Sequence, residues 1–162
     1  MNENDYVILD VEACKFAIPS VQVDKVERAV LLTHVPDAPE PVLGVISDGG
    51  RVIPVLGLRK KLGLQERDVI LSDRLLFSEC NGRKIAILVD NVSAVVEIEP
   101  GLVRVADEIW PGVVFLKSLA GVDEDVVLVQ DLGAVLDVEQ GFKLDAALKA
   151  MRDLGDIEAD GE

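Results

Sequence analysis

The chain has 162 residues, 49% of them apolar but only 4% aromatic, and 16 Lys and Arg against 30 Asp and Glu give a formal charge of -14. That is one domain's worth of material with enough Val, Leu and Ile to bury a core, which excludes wholesale disorder. The charge repels phosphate backbones and anionic lipid, and the basic cluster Arg59-Lys60-Lys61 is too short to overcome it.

Along the chain, short β-branched runs punctuated by turn dipeptides predict a small-strand barrel or sandwich. Tyr6 to Val11 and Cys14 to Ile18 are the first two strands. Pro19 ends that run, and Ser20 is placed to cap a short helix with Val23, Val26 and Val30 along one side. Ala29 to Val35 reads as extended, followed by a rigid surface connection at Pro36, Pro39 and Pro41. Val42 to Ser47 and Arg51 to Leu56 flank Asp48-Gly49-Gly50, which supplies the positive φ values of a tight hairpin. Pro54 donates no backbone hydrogen bond, so its strand is expected at a sheet edge or broken by a bulge. Leu58 to Leu62 fits one helical turn closed by Gly63.

Arg74 to Glu79 and Lys84 to Asp90 form a second hairpin around Asn81-Gly82. Val92 to Ile98 continues as a strand until Pro100-Gly101. Beyond Trp110-Pro111-Gly112, Val113 to Ala120 and Val126 to Asp131 give a third hairpin across an acidic turn, for roughly ten strands in all. Val55, Leu58 and Leu62 recur faintly as Val129, Leu132 and Leu136, which fits two similar half-size β units. From Gln140 the period becomes helical, with Phe142, Leu144, Leu148, Met151 and flanking Ala146, Ala147 and Ala150 on one side. The helix is expected over 140–155, packed on the β body, with 156–162 a fraying acidic tail.

Catalytic templates fail for want of parts. Cys14 and Cys80 are far apart and His34 is the one histidine, so neither a zinc cluster nor a His-dependent triad can be assembled. No GxSxG, Walker, GxGxxG or HExxH pattern occurs. Asp48-Gly49-Gly50 could be offered as a phosphate loop, but without a following Gly-Lys-Ser/Thr a hairpin turn is favoured. His34 reads as a surface or strand-end residue rather than a ligand, and Trp110 as a core plug ahead of an exposed partner anchor. The polar, acidic start and the lack of a bilayer-length apolar run predict a cytoplasmic protein without membrane insertion. No enzyme activity, cofactor or metal is expected, and no nucleic acid partner.

The order of motifs resembles the CheW-like family, the coupling proteins of bacterial chemotaxis. The residues that carry it are Phe16-Ala17-Ile18-Pro19 with Val23 and Val26, then Pro36-Asp37-Ala38-Pro39 leading into Val42-Leu43-Gly44-Val45-Ile46. Gly50-Arg51-Val52-Ile53-Pro54-Val55-Leu56 and Ile87-Leu88-Val89-Asp90-Asn91-Val92 continue it, and the match spans about residues 5 to 138. The resemblance implies two SH3-like five-stranded β-barrel subdomains around a shared core, within residues 1–139 and divided near 65–83, with the first strand joining the second barrel. It also implies a non-enzymatic adaptor that binds a chemotaxis histidine kinase regulatory domain and the cytoplasmic tip of a chemoreceptor, reaching membrane arrays through those partners.

By that resemblance Gly44, Val45, Ile46, Gly49, Gly50, Arg51, Val89 and Asp90 belong to the partner-binding surface. The family's hairpin usually reads Asn-Leu-Arg-Gly, where this chain has Ser47-Asp48-Gly49-Gly50. Gly49 has no side chain to act as the family's partner-binding arginine, and Arg51, two residues on, either stands in for it or is an ordinary solvated residue. Gly57 likewise replaces a common aspartate, and Ser118 a glycine. The alternatives are a diverged paralogue in a motility or pili array, or one binding the kinase alone, and, from another class, a small-ligand-binding barrel.

Overall fold

The structure, a computed structural model, describes residues 4–80, 82–99, 103–105, 116–122, 125–130 and 138–159. Its strands are β1 (Asp5–Val11), β2 (Cys14–Pro19), β3 (Val23–Arg28), β4 (Val42–Asp48), β5 (Arg51–Gly57) and β6 (Arg74–Cys80). They continue as β7 (Arg83–Val89), β8 (Asn91–Glu97), β9 (Val103–Val105), β10 (Leu116–Val122) and β11 (Asp125–Gln130), followed among the described residues by the helix α1 (Val138–Ala159). The fold is mainly β, with two sheets and a C-terminal helix.

One sheet has the order β8-β1-β2-β11-β10-β9 and the other β3-β6-β7-β5-β4. Both follow one plan. In each, an outer strand lies antiparallel on a hairpin, and that hairpin meets a second one through a parallel pair, β2 with β11 or β7 with β5. The strands holding Val55 and Val129 therefore occupy equivalent places, which gives the faint repeat a structural basis; Leu132 and Leu136 lie outside the described residues. Both strands of the N-terminal hairpin join the later sheet, where the resemblance implies this for the first strand alone, and that sheet has six strands.

The continuous apolar runs exist because their strands are buried on both faces. Val7, Leu9, Val11, Phe16 and Ile18 point into a core shared with Leu56, Leu76, Ile85, Ile87 and Val89 of the other sheet and with Leu144 of α1. The alternate residues Ile8 and Ala17 pack with Ile98, while Leu75, Phe77 and Ala86 pack with Ile46, Ile53 and Val55. Period-two geometry thus divides one hydrophobic run between a common core and a core private to each sheet.

Several local readings change. No helix follows Ser20: Ser20–Gln22 is a three-residue 3-10 turn with Pro19 at its cap and no side-chain cap bond. Val23 to Arg28 is a strand because it pairs with β6, and Ser78 Oγ donates to the Gln22 carbonyl beside it. Tertiary pairing here outweighs an apolar spacing that imitates a helix. The segment predicted as an extended piece at 29–35 makes one isolated bridge, Thr33 with Val45. Pro39 and Pro41 are buried, so the connection they stiffen is not wholly at the surface.

Pro54 lies in an interior strand, not at an edge. Val45 turns its N–H and C=O to Thr33, both at 2.9 Å, so its pairing with Pro54 on β5 uses no hydrogen bond. Pro54 therefore aims its missing donor toward β7, where pairing begins only at Val55. The irregularity in this hairpin falls on β4, where Leu43 is the extra residue between Val42 and Gly44. Leu64 N donating to Arg59 O at 2.8 Å and Gly63 N to Lys60 O at 3.1 Å close the turn after β5 as a Schellman motif, with Gly63 at φ +74°.

Helix α1 buries Leu144 and Ala147 and packs the partly buried Leu148 and Met151 beside them, a true i, i+3, i+4, i+7 stripe, against the shared core and against Val35 and Val45. Phe142 was expected on that stripe but is exposed, as are Ala146 and Ala150. The helix runs to Ala159 rather than ending at 155, since no proline interrupts it and Glu158 and Ala159 are good helix formers.

Candidate functional site

The β4–β5 turn places Gly49 at φ +59° and Gly50 at φ +82°, the left-handed pair that a two-residue hairpin of matching twist requires. It sets Asp48 directly across from Arg51. Asp48 is already engaged, because Lys25 Nζ of β3 donates to its Oδ1 at 2.9 Å and lies 3.1 Å from Glu27 Oε1. The Asp48 and Glu27 hydrogen bonds hold the Lys25 ammonium above its usual pKa, and the ammonium also sits 4.7 Å from the centre of the Phe77 ring. Lys84 in turn pairs with Asp24 at 3.0 Å. A cavity of about 390 Å³ opens among these groups, and the Arg51 side chain on its rim makes no ion pair or hydrogen bond among the described residues.

The other expected site residues behave differently. A Cβ on Gly44 would come within 2.7 Å of the Thr33 carbonyl oxygen, so glycine is what lets the 29–35 segment cross β4. Val45, Ile46 and Val89 are buried in the cores, where they position backbone and do not present side chains to a partner. Asp90 follows β7 at the Gly57 end of β5, roughly 20 Å from Arg51 at about 3.3 Å per residue. The structure therefore brings Gly49, Gly50 and Arg51 together but separates them from Asp90.

Asp90 belongs to an ion network that the sequence reading missed. Its Oδ1 accepts from Arg59 Nη2 at 2.8 Å and Arg67 Nη2 at 2.9 Å, and its Oδ2 accepts from the Glu12 N–H at 2.8 Å. Arg59 Nη1 donates to the Glu12 carboxylate, and Arg67 forks onto Asp73 at 2.7 and 2.9 Å. Glu12 sits in the β1–β2 turn at φ +52°, Arg59 just after β5, and Asp90 between β7 and β8. The network therefore fastens one sheet to the other beside the shared core. Arg59, read from the sequence only as part of the basic cluster Arg59-Lys60-Lys61, is in fact buried, directly after the buried Leu58. Burial works against its charge, but Glu12 and Asp90 outweigh that and raise its pKa.

Asp73, 1% exposed, is the most buried acid of the network. Burial opposes its ionisation, but the Arg67 fork and the Ile70 N–H at 3.0 Å more than compensate and hold its carboxyl below the ordinary 3.8. A depressed folded-state pKa means stability that is complete above the unfolded value and lost as pH falls through the folded one. Urea unfolding followed from pH 6 to pH 2 should therefore show stability falling below about pH 4. Asp73→Asn should be less stable at pH 6 and show a shallower acid slope; an unchanged slope would remove Asp73 from that role.

His34 is exposed and Cys14 is a free, half-buried thiol beside the shared core; Trp110 lies outside the described residues. Among the described residues no three His, Cys, Asp or Glu side chains are grouped to hold a metal ion, and no helix is long and apolar enough to cross a membrane. The family model of the CheW-like domain matches residues 5–140. A chemotaxis protein CheW of Bacillus subtilis is 27% identical over 138 residues, covering 82% of this chain and 86% of the relative. A chemotaxis protein CheW of Helicobacter pylori is 29% identical over 94 residues, 58% of this chain and 55% of the relative. The crystal structure of the scaffolding protein TtCheW from Thermoanaerobacter tengcongensis superposes with a TM-score of 0.77 at 23% identity, covering 86% of this chain and 92% of that one.

Proposed function

Because the chain belongs to the CheW-like domain family, we propose that it acts as a non-enzymatic scaffold coupling chemoreceptors to a chemotaxis-type histidine kinase. The observation that carries this reading is that residues 5–140, nearly the whole two-sheet body, are the span the family model matches. The physics is in keeping with it: among the described residues, strands β3 and β8 each end a sheet with no further strand beyond them, a ready surface for a related β module. The scaffold works in the cytoplasm and reaches receptor arrays only through its partners, the kinase regulatory domain and the receptor tip.

At the hairpin end, Arg51 is the cation left available to a partner, since Lys25 and Lys84 are already paired. Calorimetric titration of the chain with a purified kinase regulatory domain and, separately, with a receptor-tip hairpin tests the proposal. Binding to both is expected, and binding to neither would overturn it. Arg51→Glu should weaken one of these interactions about tenfold, more at low salt than at high.

A second reading, a diverged paralogue serving another array, is favoured by Gly49 standing where the family has arginine. Gly49→Arg tests it by receptor titration: a gain in affinity supports divergence, and no change counts against it. The variant costs about 1 kcal/mol because φ +59° is left-handed, so its melting curve must be recorded alongside.

A further inference from the structure

The far end of the β3–β6 pair carries four exposed aliphatic side chains on two separate loops. Ala29 N donates to Asp73 O at 3.0 Å, continuing the β3–β6 register past Arg28 and Arg74. Val30 and Leu31 follow Ala29 directly, and Ile70 and Leu71 precede Asp73 in a turn closed by Asp73 N to Ile70 O at 3.0 Å. Leu31 is 94% exposed and Leu71 85%, with Val30 and Ile70 about half exposed. Single exposed aliphatics need no explanation, but two pairs held on either side of one hydrogen bond form a raised apolar end.

The charges beside it are also out of keeping with the chain. Arg28 and Arg74 face each other directly across the antiparallel pair, a like-charge arrangement that weakens a sheet. The Arg28 side chain makes no ion pair or hydrogen bond among the described residues, although acids outnumber bases almost two to one in the sequence. Arg74 folds onto the turn, Nη1 donating to the carbonyls of Ser72 at 2.8 Å and Asp73 at 3.0 Å, which holds its guanidinium on the turn that carries Leu71 without neutralising it. The turn itself is fixed from below by the Arg67–Asp73 fork and by Arg67 on Asp90. A rigid platform thus holds an aliphatic knob next to two uncompensated cations.

We infer that this end of the five-stranded sheet is a docking surface for a partner that supplies an apolar hollow rimmed by carboxylates, such as the seam between two acidic amphipathic helices. The knob projects, so the partner supplies the concavity, and the facing arginines select acidic groups at its rim. The inference rests on the scaffold reading and adds a second contact to it, at the opposite end of β3 from the Lys25–Asp48 hairpin site.

The test is calorimetric titration of the wild type, Leu31→Asp, Leu71→Asp and Arg28→Glu with the kinase regulatory domain and with the receptor-tip hairpin. Unchanged thermal melts verify folding, as expected for exposed positions. A loss of about tenfold in Kd for one partner in both leucine variants, and a loss in Arg28→Glu that shrinks at high salt, supports the inference. Wild-type binding that all three variants retain overturns this surface and leaves the scaffold reading standing. Wild-type binding to neither partner overturns both. Sedimentation with phosphatidylglycerol–phosphatidylcholine vesicles that the leucine variants abolish would assign the surface to a membrane and overturn the protein partner.

Discussion

Phe16→Ala is expected to destabilise the protein by about 4 kcal/mol, as for truncation of a fully enclosed aromatic. Phe16 is 0% exposed and leads the fully buried side chains in volume. Its strand is interior: Phe16 lies opposite Leu9 of β1 and, across the parallel joint, Leu128 of β11. Its side chain enters the core common to both sheets and to Leu144 of α1, so the surroundings can collapse into the vacancy only by moving a sheet. With total stability of roughly 5–15 kcal/mol for a domain of this kind, the loss is a large fraction of what exists. Urea denaturation measures it, and Phe16→Leu should cost much less. A loss under 1 kcal/mol would mean that the two sheets do not share this core.

Arg59→Ala comes next, at about 3 kcal/mol. The guanidinium side chain is 11% exposed and bridges Glu12 and Asp90, so its removal leaves two carboxylates facing each other near Arg67 alone. Both acids retain contact with water, which keeps the cost toward the lower end for broken buried pairs. Arg59→Met, which preserves the stem, separates charge from packing. If the charge matters as argued, Met recovers little of the loss, and the double variant with Glu12→Gln is less unstable than the sum of the singles. Full recovery by Met would make Arg59 a packing residue.

What the sequence made legible was local chemistry. Gly49-Gly50 announced a hairpin because two adjacent positive φ values suit few other residues, and Gly82 at φ +80° sits in the second hairpin turn as expected. Phe16-Ala17-Ile18 announced a strand by composition, though not that its alternate residues serve different cores. Val23, Val26 and Val30 were misread because their spacing fits a helix, while the cause of the strand, β6, lies some fifty residues on. The ion network was illegible for the same reason: Glu12 meets Arg59 across 47 positions and Asp90 across 78. Pro54 shows the converse, a correct rule with the wrong solution, since an interior strand accommodates proline where pairing on one side has not yet begun.

The site was legible only as a list. Sequence similarity named Gly44, Val45, Ile46, Gly49, Gly50, Arg51, Val89 and Asp90 together, whereas the fold buries four of them, Gly44, Val45, Ile46 and Val89, sets Asp90 in the clasp between sheets, and leaves the Arg51 side chain without a partner among the described residues. Nothing local in the sequence distinguishes these fates. Burial and ion pairing do, and they depend on which strands become neighbours.

A coupling protein must hold its two partners at once, and size-exclusion chromatography of the chain mixed with a receptor-tip hairpin and a kinase regulatory domain reads this directly. The account predicts one ternary peak that forms only when the chain is present and that weakens with Arg51→Glu. Two binary complexes that compete for the chain, or free components throughout, would contradict it.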